Sequence, residues 1–418
     1  MLIALSLLSA LPLALAAPTC TLKTSSYAAP APTPSSVSTP TNPSSGNTTT
    51  NGMISMAWYA DWHTNFTVSD ISWAGYTHMA FFTAQPSSSG TVEVLISDPT
   101  MVDQFTAAAK TNNVKSLLTI GGWDGSLYWS SSVATAQNRS TFANSIAQYA
   151  QAHGFDGLDF DWEYPAKSGV GCNTMSPQDS DNFLSFMQEM RQIAPNLTLS
   201  AATSIVPWVG STGSPLTDVS KYASSLDWIE VMNYDVYGDF SSVTGPNSPL
   251  NDTCASSTDQ QGSAVSAIAA WTKAGFPANK LSTAVTGNSL NLYTTFDKTN
   301  IPIGDSWSPP STTADVCGNP PVGNGNTGIY NFWALIEGGF ITQNGTVASG
   351  MVGMFDECSQ TPFVYNPSTS VLVSYDDPQS FTAKGQLIKQ AGLAGFAMYE
   401  AGGDYKGMLV QAINSAMA

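Results

Sequence analysis

The 418-residue sequence is poor in charge and poorest in cations: 10% of its residues are charged, with 13 Lys+Arg and 3 His against 30 Asp+Glu, for a formal net charge of −17. The field around such a chain repels phosphate backbones and anionic lipid surfaces, which excludes nucleic acid as an expected partner and favours a neutral substrate. Cysteine is sparse too. Cys20, Cys172, Cys254, Cys317 and Cys358 have no zinc or redox spacing, so they predict two disulfides and one odd thiol in an oxidising compartment. His63, His78 and His153 are scattered, and no metal or cofactor is implied.

Long hydrophobic runs are missing except at the start. MLIALSLLSALPLALA is too short to span a bilayer comfortably and ends in Ala14-Leu15-Ala16, an A-x-A cleavage pattern, which predicts a secretory signal over residues 1–16. A buried or anchoring helix is the alternative, because no basic residue precedes the run. Sequons at Asn47, Asn65, Asn138, Asn196, Asn251 and Asn344 agree with export. The expectation is an extracellular protein without membrane contact once the leader is cut. Residues 17–51 read as a linker, dominated from 21 onward by Ser, Thr, Pro and Asn, a composition that buries too little apolar surface to offset chain entropy.

What is abundant is apolar: 42% hydrophobic with 11% aromatic, enough for one large core or a core plus an appendage. From Met53 onward, eight strand-like runs recur: MISMAWYA, THMAFFTA, SLLTIGG, GLDFDWE, LTLSAAT, WIEVMNYD, KLSTAVT and LAGFAMYE. Between them lie stretches such as Phe142–His153 and Asp181–Ile193 with the three-and-four apolar spacing of helices covering a sheet. This alternation predicts an α/β fold, a (β/α)8 TIM barrel over 52–289 and 376–418, with an open doubly wound sheet as the competing topology. Residues 290–375 are too long for a connection and predict a small inserted domain between strands seven and eight.

The fourth run lies in GFDGLDFDWEYP (154–165), which holds four acids. Alternate residues of a strand share a face, so Asp159, Asp161 and Glu163 point into the barrel while Leu158 and Phe160 meet the helices; Asp156 is off register at the entrance. Glu163 then sits at the C-terminal mouth, where barrel enzymes do their chemistry. Carboxylates about 6–7 Å apart in a partly dry interior cannot all ionise, so at least one proton is held, and the outermost acid is placed to deliver it. A solvated acidic turn would expose Leu158, Phe160 and Trp162, and a calcium loop would need a glycine and a ligand spacing that are missing.

The same acids stand as D-x-x-D-x-D-x-E, which resembles the signature of glycoside hydrolase family 18, the chitinase family. LLTIGGW (117–123), with Gly121 and Gly122, resembles the S-x-G-G strand with Thr119 in place of Ser; VMNYD (231–235) resembles the M-x-Y-D element. Residues 374–405 resemble the closing helix and eighth strand, and VGMFDECSQTPFVYN (352–366) resembles the α+β insertion of one chitinase subgroup, which deepens the cleft along one wall. Two positions depart from the pattern. AVTGNS (284–289) stands where the family has G-x-P-x-Y, and Tyr399 stands where it usually has Trp, a change expected to weaken binding at that subsite rather than abolish chemistry.

The resemblance implies a retaining, substrate-assisted reaction through an oxazolinium ion. Glu163 would be acid and then base, Asp161 would bond the acetamido N–H, and Asp159 would share a proton behind it. Tyr234 would reach the acetamido oxygen, and Asp235 would support ring distortion. Chitin or chito-oligosaccharides are the implied partners, with endo action and a monomeric chain. Tyr59, Trp123, Met232, Trp208 and Tyr399 are the expected substrate contacts, with Trp58, Trp62 and Trp162 as further aromatics; for each tryptophan, core packing competes. A lectin on the same barrel and an endo-β-N-acetylglucosaminidase acting on N-glycans are the rival functions. Glu163 argues against the first, and the insertion with Tyr234 and Asp235 against the second.

Overall fold

The computed structural model describes residues 52–62, 66–94, 96, 98–237, 245–257, 260–286, 288–293, 317, 329–369 and 371–418. The signal, the linker, Cys20, His63, the sequons at Asn47 and Asn65, and much of the insertion lie outside the described residues.

Each of the eight apolar runs contributes one strand: β1 (Ile54–Ala60), β2 (His78–Pro86), β3 (Lys115–Gly121), β4 (Gly157–Asp161), β5 (Thr198–Thr203), β6 (Trp228–Met232), β7 (Leu281–Thr286) and β8 (Gly395–Tyr399). They pair in parallel in chain order, and β1 pairs with both β2 and β8, so the sheet is a closed barrel and not an open doubly wound one. A short strand, Val92–Val94, adds an antiparallel edge to β2.

The helices form where caps and apolar spacing agree. They are α1 (Met101–Thr111), α2 (Ala136–His153), α3 (Asp179–Ile193), α4 (Ala264–Lys273), α5 (Pro378–Ala391) and α6 (Met408–Met417), with shorter helical turns between. Thr135 starts α2 by accepting from the Asn138 N–H at 3.2 Å, and Gly154 ends it at φ 70°. Phe142, Ala143, Ile146 and Ala150 of α2 and Phe183, Phe186, Met187 and Met190 of α3 are buried in one cluster with Leu158 and Phe160 of β4. Trp129 stands at its centre, its ring 5.3 Å from Phe142, 6.3 Å from Phe160 and 5.7 Å from Phe186. At about 1.5–3 kcal/mol for each large side chain removed from water, this packing holds the acidic strand against its helices. The alternation has one gap: between β1 and β2 the described residues form only a 3-10 turn at Val68–Asp70.

After β7 the chain builds a second, antiparallel sheet of five strands, Asn288–Tyr293, Ile329–Asn331, Val352–Asp356, Thr361–Asn366 and Val371–Ser374. Disulfides Cys172–Cys317 and Cys254–Cys358 join this region to the loops after β4 and β6. They close chain loops of 145 and 104 residues, for which loop entropy gives about 4–5 kcal/mol each.

Candidate active site

Inside the barrel, Asp159 is fully buried and accepts three hydrogen bonds: from Trp58 Nε1 on β1 at 2.8 Å, Thr119 Oγ1 on β3 at 2.8 Å and Ser200 Oγ on β5 at 2.9 Å. Thr119 and Ser200 are its register partners on the neighbouring strands. Burial pushes the Asp159 carboxyl above the usual carboxylate range, and these donors oppose the push. One step toward the mouth, Asp161 is 4% exposed and its Oδ1 has no partner. Burial first, then the nearby Glu163 and Asp159, push its carboxyl well up, which favours its protonated form.

Glu163 lies half-buried at the mouth. Its backbone N–H donates to Ser126 Oγ at 2.9 Å, and its carbonyl accepts from Asn173 Nδ2 at 3.1 Å. Burial, with Asp235 and Asp124 adding, pushes its carboxyl from 4.5 to about 7, while a hydrogen bond with the Tyr164 side chain pulls the other way. Below about pH 7 the group is an acid within reach of the cleft.

Gly121 and Gly122 let β3 end tightly against β4. A Cβ on Gly121, at φ 119°, would lie 1.9 Å from the Asp161 carbonyl oxygen, and one on Gly122, at φ 86°, would lie 2.6 Å from the Phe82 ring. The Gly122 N–H donates to that same carbonyl at 2.7 Å, which fixes the backbone carrying Asp161.

Asp161, Glu163, Met232, Tyr234, Asp235 and Tyr399 line one cleft of about 830 Å³, together with Gly121, Gly122 and Trp123. The Tyr399 ring forms a floor with Trp58, Phe82 and Tyr234, at centroid distances of 6.1, 5.8 and 6.1 Å. Trp123 and Trp62 stand on the walls, 50% and 44% exposed. Asp235, exposed at the rim, donates its backbone N–H to Asn247 Oδ1 at 2.9 Å, and the Asn247 N–H donates to Ser374 Oγ at 3.0 Å. The inserted sheet therefore braces the loop that carries Asp235. Among the described residues, none of the insertion itself lines the cleft.

Two expected substrate contacts are corrected. Tyr59 is the outward alternate of β1, buried between the barrel and its helices, with its ring 5.7 Å from Phe105. Trp208 is buried on Tyr222 at 4.2 Å and Trp271 at 4.8 Å, so the loop after β5 turns it into the outer core rather than the cleft. Trp162 likewise stacks on Trp129 at 5.4 Å. Asp156 lies at the opposite end of β4, where it accepts from Lys115 Nζ at 2.9 Å and the Ser116 N–H at 3.0 Å and ties β4 to β3. Four residues near the acids escaped the sequence reading: Ser126, Asn173, Tyr164 and the buried Glu230. Only Glu230 had a signal, since it shares strand parity with Met232 and Tyr234.

Residues 54–404 match the sequence profile of Glycosyl hydrolases family 18. The chain belongs to that family. Among relatives of this family 18 protein, a "chitinase-like effector" of Moniliophthora roreri is 41% identical over 90% of this chain and 94% of its own length. "Chitinase A1" of Niallia circulans is 28% identical over 82% of this chain and 52% of its own length. The crystal structure of a chitinase from Rhizomucor miehei covers 87% of this chain and 99% of its own, at 27% identity and a TM-score of 0.75.

Proposed function

We propose that the protein is a secreted, endo-acting chitinase that cleaves β-1,4 bonds between N-acetylglucosamine units with retention, using the substrate's own acetamido group as nucleophile. The observation that carries this reading is Glu163, half-buried on the cleft beside Asp161, with its carboxyl pushed up to about 7. As the acid, Glu163 transfers its proton to the glycosidic oxygen while the acetamido oxygen bonds to the anomeric carbon and the glycosidic bond breaks. Asp161, its proton passed back to the Asp159 carboxylate behind it, accepts from the acetamido N–H and offsets the positive charge of the oxazolinium ring. Tyr234 donates to the acetamido oxygen, and Asp235 supports the distorted sugar. Water then adds to the anomeric carbon, its proton passes to Glu163, and the acetamido oxygen leaves. The chitinase names of the relatives support the substrate. Two disulfides and exposed sequons at Asn138, Asn196 and Asn344 support export.

A second reading is a chito-oligosaccharide-binding protein with little turnover. It is favoured by the effector name of the M. roreri relative and by Tyr399 in place of the family's usual Trp. One assay separates the two: wild type and Glu163→Gln are incubated with N-acetylglucosamine oligomers, chitin and a high-mannose glycoprotein. Oligomer cleavage that is lost in the variant, and that falls in wild type as pH rises through about 7 because only the protonated Glu163 donates, supports the chitinase. Binding without product supports the second reading, and glycan release would point to N-glycan hydrolysis.

A further inference from the structure

Inside the barrel lies a buried carboxyl that the proposed reaction leaves unused. Glu230 on β6 is fully buried, paired in register with Ala202 on β5 and Ser282 on β7. Its strand mates of the same parity, Trp228 and Met232, pack in the interior cluster with Trp58 and Phe82, so Glu230 faces the interior as well. The Trp228 indole N–H donates to its Oε1, and no donor reaches its Oε2. Its side chain lies beside the Asp159 carboxyl, and each acts on the other's electrostatics.

Two carboxylates cannot sit side by side in a dry interior unless a cation or a proton lies between them. The charged and titratable groups around Glu230 supply no cation. Asp159 and Asp161 face it from β4, and Ser200 and Ala202 on β5 and Ser282 and Ala284 on β7 do not titrate. His78 on β2 lies beyond the Trp228 ring, at 5.0 Å, and burial lowers it to about 4, so it is neutral. Lys115 is at the far end of the barrel, paired with Asp156. A proton is what remains. Asp159 accepts from Trp58, Thr119 and Ser200, whereas Glu230 has the Trp228 indole and only a share of Ser200, so the proton belongs on Glu230.

We propose that Glu230 is a positioning residue for the chitinase reaction: as a neutral acid it donates from the barrel floor to an ionised Asp159, so the pair holds one proton and one charge. The negative Asp159 then keeps the proton on Asp161 above it until substrate arrives. The role rests on the functional reading above; the place of the proton does not.

The test compares Glu230→Gln, whose amide N–H reproduces the donor, with Glu230→Leu, which has none. The Gln variant should keep kcat/KM within about threefold of wild type and keep its pH profile. The Leu variant should lose about tenfold or more in kcat with KM little changed, and a limb of its pH profile should move, as expected when a hydrogen-bonded electrostatic partner is removed. Two outcomes overturn the proposal: a shifted profile in the Gln variant, which would mean that a charge had been deleted, or a Leu variant that is less stable but has the wild-type profile. Infrared difference spectra at pH 8 give a reading independent of turnover. Wild type should show one more protonated-carboxyl carbonyl band than Glu230→Gln, the Asp161 band remaining in both. If wild type cleaves no oligomer, the functional reading fails while this difference band still decides where the proton sits; if the two spectra carry the same protonated-carboxyl bands, the proton sharing fails whatever the activity.

Discussion

Asp376, just before α5, and the acids of β4 are buried alike but neutralised differently. Asp376 meets the ammonium of Lys384, itself 1% exposed, at 2.7 Å, and Ser380 and Ser248 complete the hydrogen bonds of the pair. Asp159, Asp161, Glu163 and Glu230 have no ion pair among the described residues. Lys167, a cation on the cleft, is exposed and lies over the Tyr164 ring at 5.2 Å. A lysine holds an acid in place; a proton can be handed over. Where this chain needs rigidity it neutralises a buried carboxylate with a cation, and where chemistry is proposed it uses protons.

The comparison breaks most clearly at Lys384. Burial lowers this ammonium from its ordinary value of 10.5, yet Asp376 holds it in place. Lys384→Met strands the carboxylate, and denaturant unfolding should show a loss of about 3–5 kcal/mol, with activity per folded molecule within about twofold of wild type. Adding Asp376→Leu should recover most of the loss, because a matched apolar pair needs no charge compensation. A single variant that loses less than about 1 kcal/mol would show that the pair is not what makes Asp376 tolerable.

In the stack the same kind of change should act on rate. Under the proposed mechanism, Asp161→Asn removes the charge that would offset the oxazolinium ion and should lower kcat by about a hundredfold, roughly 2.7 kcal/mol, with KM little changed. Thermal stability should hold or rise, since an amide stands where a desolvated acid stood. Wild-type turnover in this variant would move Asp161 into the structural class with Asp376.

These contrasts show what sequence reading reaches. Period-two alternation places Asp159, Asp161 and Glu163 on one face because a strand leaves no other choice. Tyr59 is expected on the cleft only as an aromatic near the end of β1, without its parity being weighed: Trp58 is the inward alternate of β1, and Tyr59 faces the helices. Trp208, Ser126 and Asn173 sit in loops after strands, where no periodicity says which way a side chain turns. Ser126, from the loop after β3, and Asn173, ten residues on in the loop after β4, clamp the Glu163 backbone from both sides, an arrangement that only the folded chain creates. Glu230 was legible by parity alone, but nothing in the strand pattern marks it as lying beside Asp159.

The smallest effect sharpens the contrast on its apolar side. Tyr399 closes β8 at the cleft floor, its carbonyl accepting from Thr286 Oγ1 at 3.0 Å, so its backbone is held by the barrel while its ring meets Trp58, Phe82 and Tyr234. Burial pushes its hydroxyl well above the ordinary phenol value, which keeps it neutral and adds no charge to a site already rich in acid. An indole at this position would offer a larger aromatic face to a sugar. Tyr399→Trp should therefore tighten binding of N-acetylglucosamine oligomers by a few-fold, about 0.5–1.5 kcal/mol, measured by calorimetry in the Glu163→Gln background so that no substrate is consumed. Unchanged or weaker affinity would mean that Trp58 and Phe82 already fill the floor around a phenol, and that this barrel is fitted to its tyrosine rather than weakened by it.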